Sequence, residues 1–408
     1  MKILQLMPYV PVPPDFGGAL RIYHIVNHIR KYHDLTVAGF CDMGNTSAFK
    51  NQFMLQDDKI HLVNRKLLHR YPRLYQAFSL INGHSYQYNR MISRDFQNNL
   101  DELFDKQTFD LVQIEFASMG KFNIRSDALK VLDAHNVEYD NYRRMAERIN
   151  HSSIRKYFYQ NEYKKFYREE IKVWNRQDGI FATSYRDRDI IENEVPGIPK
   201  FVIPNGVDME YFKPSVVNPE PHSLVFTGMM GYIPNYDAMY FFLDEIYPLI
   251  RQQIPDIKLY IVGKNPPVDL RKRANQNIVI TGLVEDVRPF VYRSTVYVVP
   301  LRMGGGTRLK ILEALSMKKP LVTTSIGCEG IDVVHNESAM IADEPEEFAE
   351  TVIGLIKDKK RQTLLQRNGY DLVREKYDWN VIGNLLEDAY DSLFQHHYQK
   401  KEMKYFSQ

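Results

Sequence analysis

The sequence predicts an α/β chain made of two Rossmann-like domains with parallel sheets, and three observations carry this reading. Short β-branched runs alternate with longer helical patterns throughout, as expected of parallel strands joined by helical crossovers. The runs fall into two sets of five. A segment dense in prolines and turn residues separates the sets.

The first set is KILQLM, LTVAGF, DLVQIE, KVLDAH and GIFATS; the second is SLVFTG, KLYIVG, IVITG, VYVVP and PLVTTS. Between them, VPGIPKFVIPNGVDMEYFKPSVVNPEPHS marks a linker, so the boundary falls near residue 200. The expected domains are 1–198, completed by a C-terminal helix over 380–408, and 199–379.

Composition narrows the function classes. With 408 residues and 44% apolar content the chain can bury a core in each domain. The 53 basic and 51 acidic residues leave a formal net charge of +2, too little to drive binding to nucleic acid. Two cysteines, Cys41 and Cys328, are too few for a disulfide framework and fit a reducing compartment. The N-terminal apolar run stops at Pro8, shorter than a signal-peptide core. No run approaches the roughly 20 apolar residues of a transmembrane helix. A cytoplasmic chain is expected.

From Val137 to Arg176 no strand signal occurs, and Ile154, Phe158, Tyr163, Phe166, Ile171 and Trp174 recur at helical spacing. One long amphipathic helix or two shorter ones are expected. The opposite face mixes Arg155, Lys156, Lys164, Lys165, Arg168, Lys172 and Arg176 with Glu162, Glu169 and Glu170. Such a face is either plainly solvated or a peripheral contact with an anionic membrane surface. The basic run from Lys59 to Arg73 admits the same two readings.

The stretch PLRMGGGTRLKILEAL, Pro300 to Leu315, joins a strand to a helix at the strand's carboxyl end, where open α/β sheets bind ligands. Gly304, Gly305 and Gly306 let backbone amides approach a ligand, and the following helix start adds unpaired donors. Thr307 stands beside them. Arg308 and Lys310 supply positive charge for a diphosphate, with Arg302 a weaker candidate. A carboxylate at Glu313 can accept two hydrogen bonds from a ribose diol. Neither the Walker pattern nor the dinucleotide fingerprint is present.

In the first half, Gly17 and Gly18 follow the first strand and would bring backbone amides against the diphosphate or acceptor, and Arg21, one turn into the next helix, is a possible acceptor or orienting contact. The run LDAHNVEY puts His135 just past a strand end, with Asn136 and Glu138 placed to orient it or touch an acceptor. Gly228 closes the strand SLVFTG and is expected to allow close backbone approach.

Taken together, PPDFGGALRIYH, VLDAHNVEY, IPNGVDMEYF, FTGMMGYIPN, TGLVEDVRPF and PLRMGGGTRLKILEAL resemble the family 4 glycosyltransferases over nearly the whole chain. The resemblance implies the GT-B fold, two facing Rossmann-like domains with an interdomain cleft. It implies transfer of a sugar from a nucleoside diphosphate sugar to a glycan or lipid-linked acceptor, with retention of configuration, no cofactor and no metal. It makes His135 a contact of the donor sugar, Glu313 the second glutamate of the family's paired-glutamate motif, and the backbone at Leu283 and Val284 the seat of the base. The first glutamate of that motif falls on Gly305, a departure. The family's arginine and lysine after the glycine matching Gly228 are also missing, which shifts the diphosphate charge to Arg308 and Lys310. A nucleotide-sugar epimerase or hydrolase, and a non-catalytic scaffold, share the same fold.

Overall fold

The computed structural model describes residues 1–42, 45–64, 72–148 and 153–406. The chain forms two compact units, Met1–Pro204 with Gly383–Gln408, and Asn205–Ile382.

The first unit holds β1 (Lys2–Met7), α1 (Gly17–Tyr32), β2 (Asp34–Cys41), α2 (Asn45–Phe53), β3 (Ile60–Asn64), α3 (Pro72–Ile81), α4 (Tyr86–Arg90), α5 (Arg94–Lys106), β4 (Leu111–Glu115), β5 (Leu129–Ala134), α6 (Glu138–Arg148), α7 (Ser153–Trp174), β6 (Gly179–Ala182), α8 (Tyr185–Glu194) and β7 (Lys200–Val202). Its seven strands pair in the order β3-β2-β1-β4-β5-β6-β7, all parallel. The interior strands β4 and β6 are buried along their whole length, and in β6 this reads as a continuous apolar run. Helix α1 turns Ala19, Ile22, Ile25, Val26 and Ile29 inward and ends on Arg30 and Lys31, which suit the negative end of the helix dipole.

The second unit holds β8 (Ser223–Thr227), α9 (Ile233–Phe241), α10 (Tyr247–Gln253), β9 (Lys258–Val262), α11 (Val268–Arg271), β10 (Ile278–Ile280), α12 (Arg288–Arg293), β11 (Val296–Val299), α13 (Leu309–Ser316), β12 (Leu321–Thr323), β13 (Met340–Ile341), α14 (Pro345–Lys357) and α15 (Lys359–Lys376). Its six parallel strands run in the order β10-β9-β8-β11-β12-β13. The last helix, α16 (Trp379–Phe406), starts in this unit and continues in the first, where Leu386, Ala389, Tyr390 and Leu393 are buried. Leu393 fills the space over Gly179 that a side chain there would need.

The ten expected strands are present, and β3, β7 and β13 add to them. All three lie at sheet edges, and neither β3 nor β7 has a fully buried residue, so they carry no continuous buried run. β7 lies inside the proline-rich segment taken as linker.

The segment from Val137 to Arg176 is two helices, α6 and α7. In α6, Arg143 and Arg144 pair with Asp140, as does Arg186 from α8. The basic run ahead of α3 falls partly outside the described residues.

Candidate functional site

In each sheet the strand order reverses once, between β1 and β4 in the first unit and between β8 and β11 in the second. Connections leave in opposite directions at such a point, opening a crevice at the carboxyl ends of the strands. The predicted residues gather at these two places.

In the second unit β8, β9 and β10 each run into a glycine with positive φ: Gly228, Gly263 and Gly282. The backbone approach is close. A Cβ on Gly263 would collide with the Gly228 carbonyl oxygen, and one on Gly228 would stand 2.8 Å from Lys310 Nζ and 2.9 Å from Asn235 Nδ2. Gly228 thus sits directly against Lys310. The ammonium of Lys310 donates to Asn235 Oδ1 at 2.8 Å and lies 4.0 Å from the Phe226 ring centroid. Asn235 is held in turn by donating to the Met229 carbonyl at 2.9 Å.

The loop after β11 has positive φ at Gly304 and Gly306. Helix α13 begins at Leu309, with Arg308 as its N-cap. The Arg308 guanidinium donates to the carbonyls of Gly305 and Gly306, and the residue is buried. It therefore shapes the glycine loop from beneath. Thr307 Oγ1 is buried and has no hydrogen-bond partner among the described residues, a polar atom that a ligand oxygen would satisfy. Arg302 is engaged by Asp237, at 3.1 and 2.9 Å, and lies over the Phe241 ring.

Burial pushes the Lys310 ammonium down to about 7, with the Arg308 charge adding to the effect and Glu313 opposing it. Burial raises Glu313 to about 7, partly offset by Lys310. The two stand three residues apart on α13 and are only half-buried by accessible surface, so the enclosure acts on their charged tips. Val284 packs on the core of the second unit, while Leu283 is exposed. Asn235, Phe226 and Gly263 are site residues the sequence reading missed. Gly263 had a visible signal, a glycine at the end of a buried strand.

In the first unit Gly17 and Gly18 open α1, and a Cβ on Gly18 would meet the Tyr9 hydroxyl and, at 2.9 Å, the Phe116 ring. Phe116, with φ +65, stacks on the His135 imidazole at 3.8 Å between ring centroids. His135 Nε2 is 2.7 Å from Glu115 Oε2 and 3.7 Å from Asp133 Oδ2. The Glu115 pairing fixes the orientation of the ring through Nε2.

Arg21, expected as a possible acceptor contact, is instead buried. Its Nε and Nη2 donate to both oxygens of Asp133 at 2.8 Å, and Nη1 donates to the Pro204 carbonyl at 3.0 Å. This fork ties α1 to β5 and leaves its donors turned inward. Asn136 Nδ2 reaches Glu138 Oε1 at 3.4 Å. Burial raises Glu138, which lines a small cavity with Tyr88, Phe116, Glu169 and Glu170.

Among the described residues Glu115, Asp133 and His135 are the group whose ligand atoms come close enough to surround a metal ion. The donor set does not fit one. Asp133 is neutralised by the Arg21 guanidinium, and Glu115 Oε1 accepts from the amides of Gln5 and Gln113 at 2.6 and 2.8 Å.

Residues 221–358 match the family described as Glycosyl transferases group 1. The chain is 26% identical over 288 residues to an uncharacterized 44.6 kDa protein in the cps region of Klebsiella pneumoniae, covering 68% of this chain and 72% of that one. It is 28% identical over 120 residues to the capsular polysaccharide biosynthesis glycosyltransferase CapM of Staphylococcus aureus, covering 29% of this chain and 31% of CapM. Among solved structures, Anabaena Alr3699/HepE in complex with UDP and glucose matches with a TM-score of 0.66 at 13% identity, over 96% of this chain and 100% of that one.

Proposed function

We propose that this chain, whose residues 221–358 match the family Glycosyl transferases group 1 and whose two parallel-sheet units have a GT-B type of fold, moves a sugar from a nucleoside diphosphate sugar to a hydroxyl acceptor. The reading includes retention of configuration, no metal or cofactor, and a glycan or lipid-linked acceptor in surface polysaccharide assembly. CapM and the cps-region relative support the last element, and HepE with UDP and glucose makes a UDP-hexose the first donor to test.

The observation that carries the proposal is the cluster at the β8/β11 reversal: Gly228, Lys310, Asn235 and Glu313 beside a glycine loop with an unsatisfied Thr307 hydroxyl. Lys310 and the amides of Gly304, Gly305 and Gly306 take the diphosphate. Its negative charge grows as the bond to the sugar lengthens, and fixed donors stabilise that change most. Arg308 adds charge beneath the loop and keeps its shape. Glu313 accepts from the ribose hydroxyls, and the backbone at Val284 serves the base. The departing phosphate oxygen takes the acceptor proton as the hydroxyl attacks the face it leaves. Gly17 and Gly18 offer helix-terminal amides, and His135, braced by Glu115, orients the sugar, with Asn136 and Glu138 next to it.

The test is a thermal-shift screen of UDP, GDP, ADP and CMP followed by turnover of the matching sugars. One nucleoside diphosphate should stabilise the protein. Glu313→Ala and Arg308→Ala should each lower kcat/KM for its sugar at least about tenfold, the loss of one charge-assisted contact. Normal turnover by both variants refutes this placement.

The His135–Glu115 pair at 2.7 Å favours one second reading, a nucleotide-sugar hydrolase or epimerase using the imidazole as base. Complete consumption of the donor with no acceptor present would select it.

A further inference from the structure

Helix α7 carries three glutamates, and all three turn inward to hold the N-termini of other helices. Glu162 accepts from Tyr86 N at 2.8 Å and Glu169 from Ser85 N at 2.9 Å, both at the start of α4. Glu170 accepts from Glu138 N and Tyr139 N at 3.1 and 2.7 Å, at the start of α6. The outward stripe is left with Tyr157, Lys164, Arg168 and Lys172, all exposed and at helical spacing. Those three cations have no ion-pair partner among the described residues. Glu194 approaches the helix through the Tyr167 hydroxyl, at 2.8 Å. The mixed-charge face read from the sequence is therefore a cationic, tyrosine-bearing face in three dimensions.

Helix α3 packs against α7 through Ser79, whose carbonyl takes the Lys165 ammonium. This turns Leu74, Phe78 and Ile81 away from the unit, at 57, 53 and 82% exposure. An amphipathic helix normally buries that stripe. Here the apolar stripe faces solvent, on a helix packed against the one that carries the cations.

We infer that α3 and the outward face of α7 bind the surface of an anionic phospholipid bilayer. Leu74, Phe78 and Ile81 enter the headgroup boundary, while Lys164, Arg168 and Lys172 meet the phosphates. Aliphatic and aromatic side chains flanked by unpaired cations are the composition that such an interface selects. A polynucleotide would use the cations but gain nothing from the apolar stripe. Among the described residues no helix is long and apolar enough to cross a membrane, so this contact is a surface one. It stands independently of the proposed reaction.

The experiment is sedimentation of the full chain with phosphatidylcholine vesicles, alone or with about one third phosphatidylglycerol, at low and high salt. The protein should pellet with the anionic vesicles, and far less with neutral ones. Lys164→Glu with Arg168→Glu should weaken the partition at least about tenfold, and Phe78→Ser several-fold. All three sites are exposed, so the variants should keep the parent Tm. Lys357→Glu with Lys360→Glu, exposed on the second unit, should leave partition unchanged. No pelleting with anionic vesicles at low salt overturns the proposal. So does equal loss in the Lys357/Lys360 variant, or binding to heparin that matches vesicle binding and ignores Phe78→Ser.

Discussion

Lys310 and Glu313 face opposite protonation problems in one small space. In the folded chain Glu313 keeps its proton from about 4.5, its ordinary value, up to about 7, so its contribution to stability is present at low pH and is lost as pH rises through that window. Lys310 sheds its proton near 7 in the fold but near 10.5 unfolded, so its contribution is lost as pH falls from 10.5 to 7. The unliganded protein should show a dip in Tm near neutral pH. Glu313→Gln should remove the acid side of the dip and Lys310→Met the alkaline side; an unchanged Tm profile in both variants would contradict the placement of these charges. A bound diphosphate favours charged Lys310, so at pH 8 nucleotide binding should take up protons. Calorimetry in two buffers of different ionisation enthalpy reads this directly, and Lys310→Met should abolish the uptake.

The strand ends of the second unit depend on glycine for a steric reason. Gly263 has φ +148 and its missing Cβ is the space occupied by the Gly228 carbonyl, a backbone atom that cannot swing aside. Gly263→Ala should destabilise the second unit by at least ~2 kcal/mol in urea unfolding, with nucleotide affinity falling in parallel. The acidic residues of α7 act across elements in a comparable way. Glu170→Ala, which frees two backbone donors at the start of α6, should cost about 1–2 kcal/mol by the same measurement.

These elements also show what sequence could and could not reveal. The central strands and the turn at Gly304 to Gly306 were readable because burial on both faces leaves an unbroken apolar run, and a glycine triplet before a helix has few uses. The edge strands β3, β7 and β13 were not, since partial burial leaves no such run. Arg21 looked like a ligand contact because the sequence does not say that Asp133, over a hundred residues away, lies across from it. Asn235 was invisible for the same reason: its role is to hold Lys310 from a different helix, α9. The inward turn of Glu162, Glu169 and Glu170 depends on where the starts of α4 and α6 fall. That is a tertiary fact.

At the scale of the whole molecule the two units are unequal in their connectivity. The second is one continuous stretch, whereas the first needs α16 returned to it from the far end of the chain. That helix is deeply anchored: Tyr390 donates its hydroxyl to Gln113 of β4, and Glu387 sits between His28 of α1 and His33 at the C-cap of that helix, at 2.8 and 2.9 Å. Burial would raise Glu387, but these histidine contacts outweigh it and hold the carboxyl below its ordinary value. Gln113 in turn donates to Glu115, the partner of His135, so α16 braces the candidate site through two side chains. Removing residues 383–408 should therefore unfold the first unit while the second keeps its calorimetric transition and its nucleoside diphosphate affinity. Tyr390→Phe is the milder form of the same test. It leaves Gln113 Oε1 without its donor in the interior and should cost about 1–2 kcal/mol in the first unit's transition alone. If the truncation lowered both transitions equally, α16 would have to stabilise the two units alike, and the division of the chain at Ile382 would lose its energetic meaning.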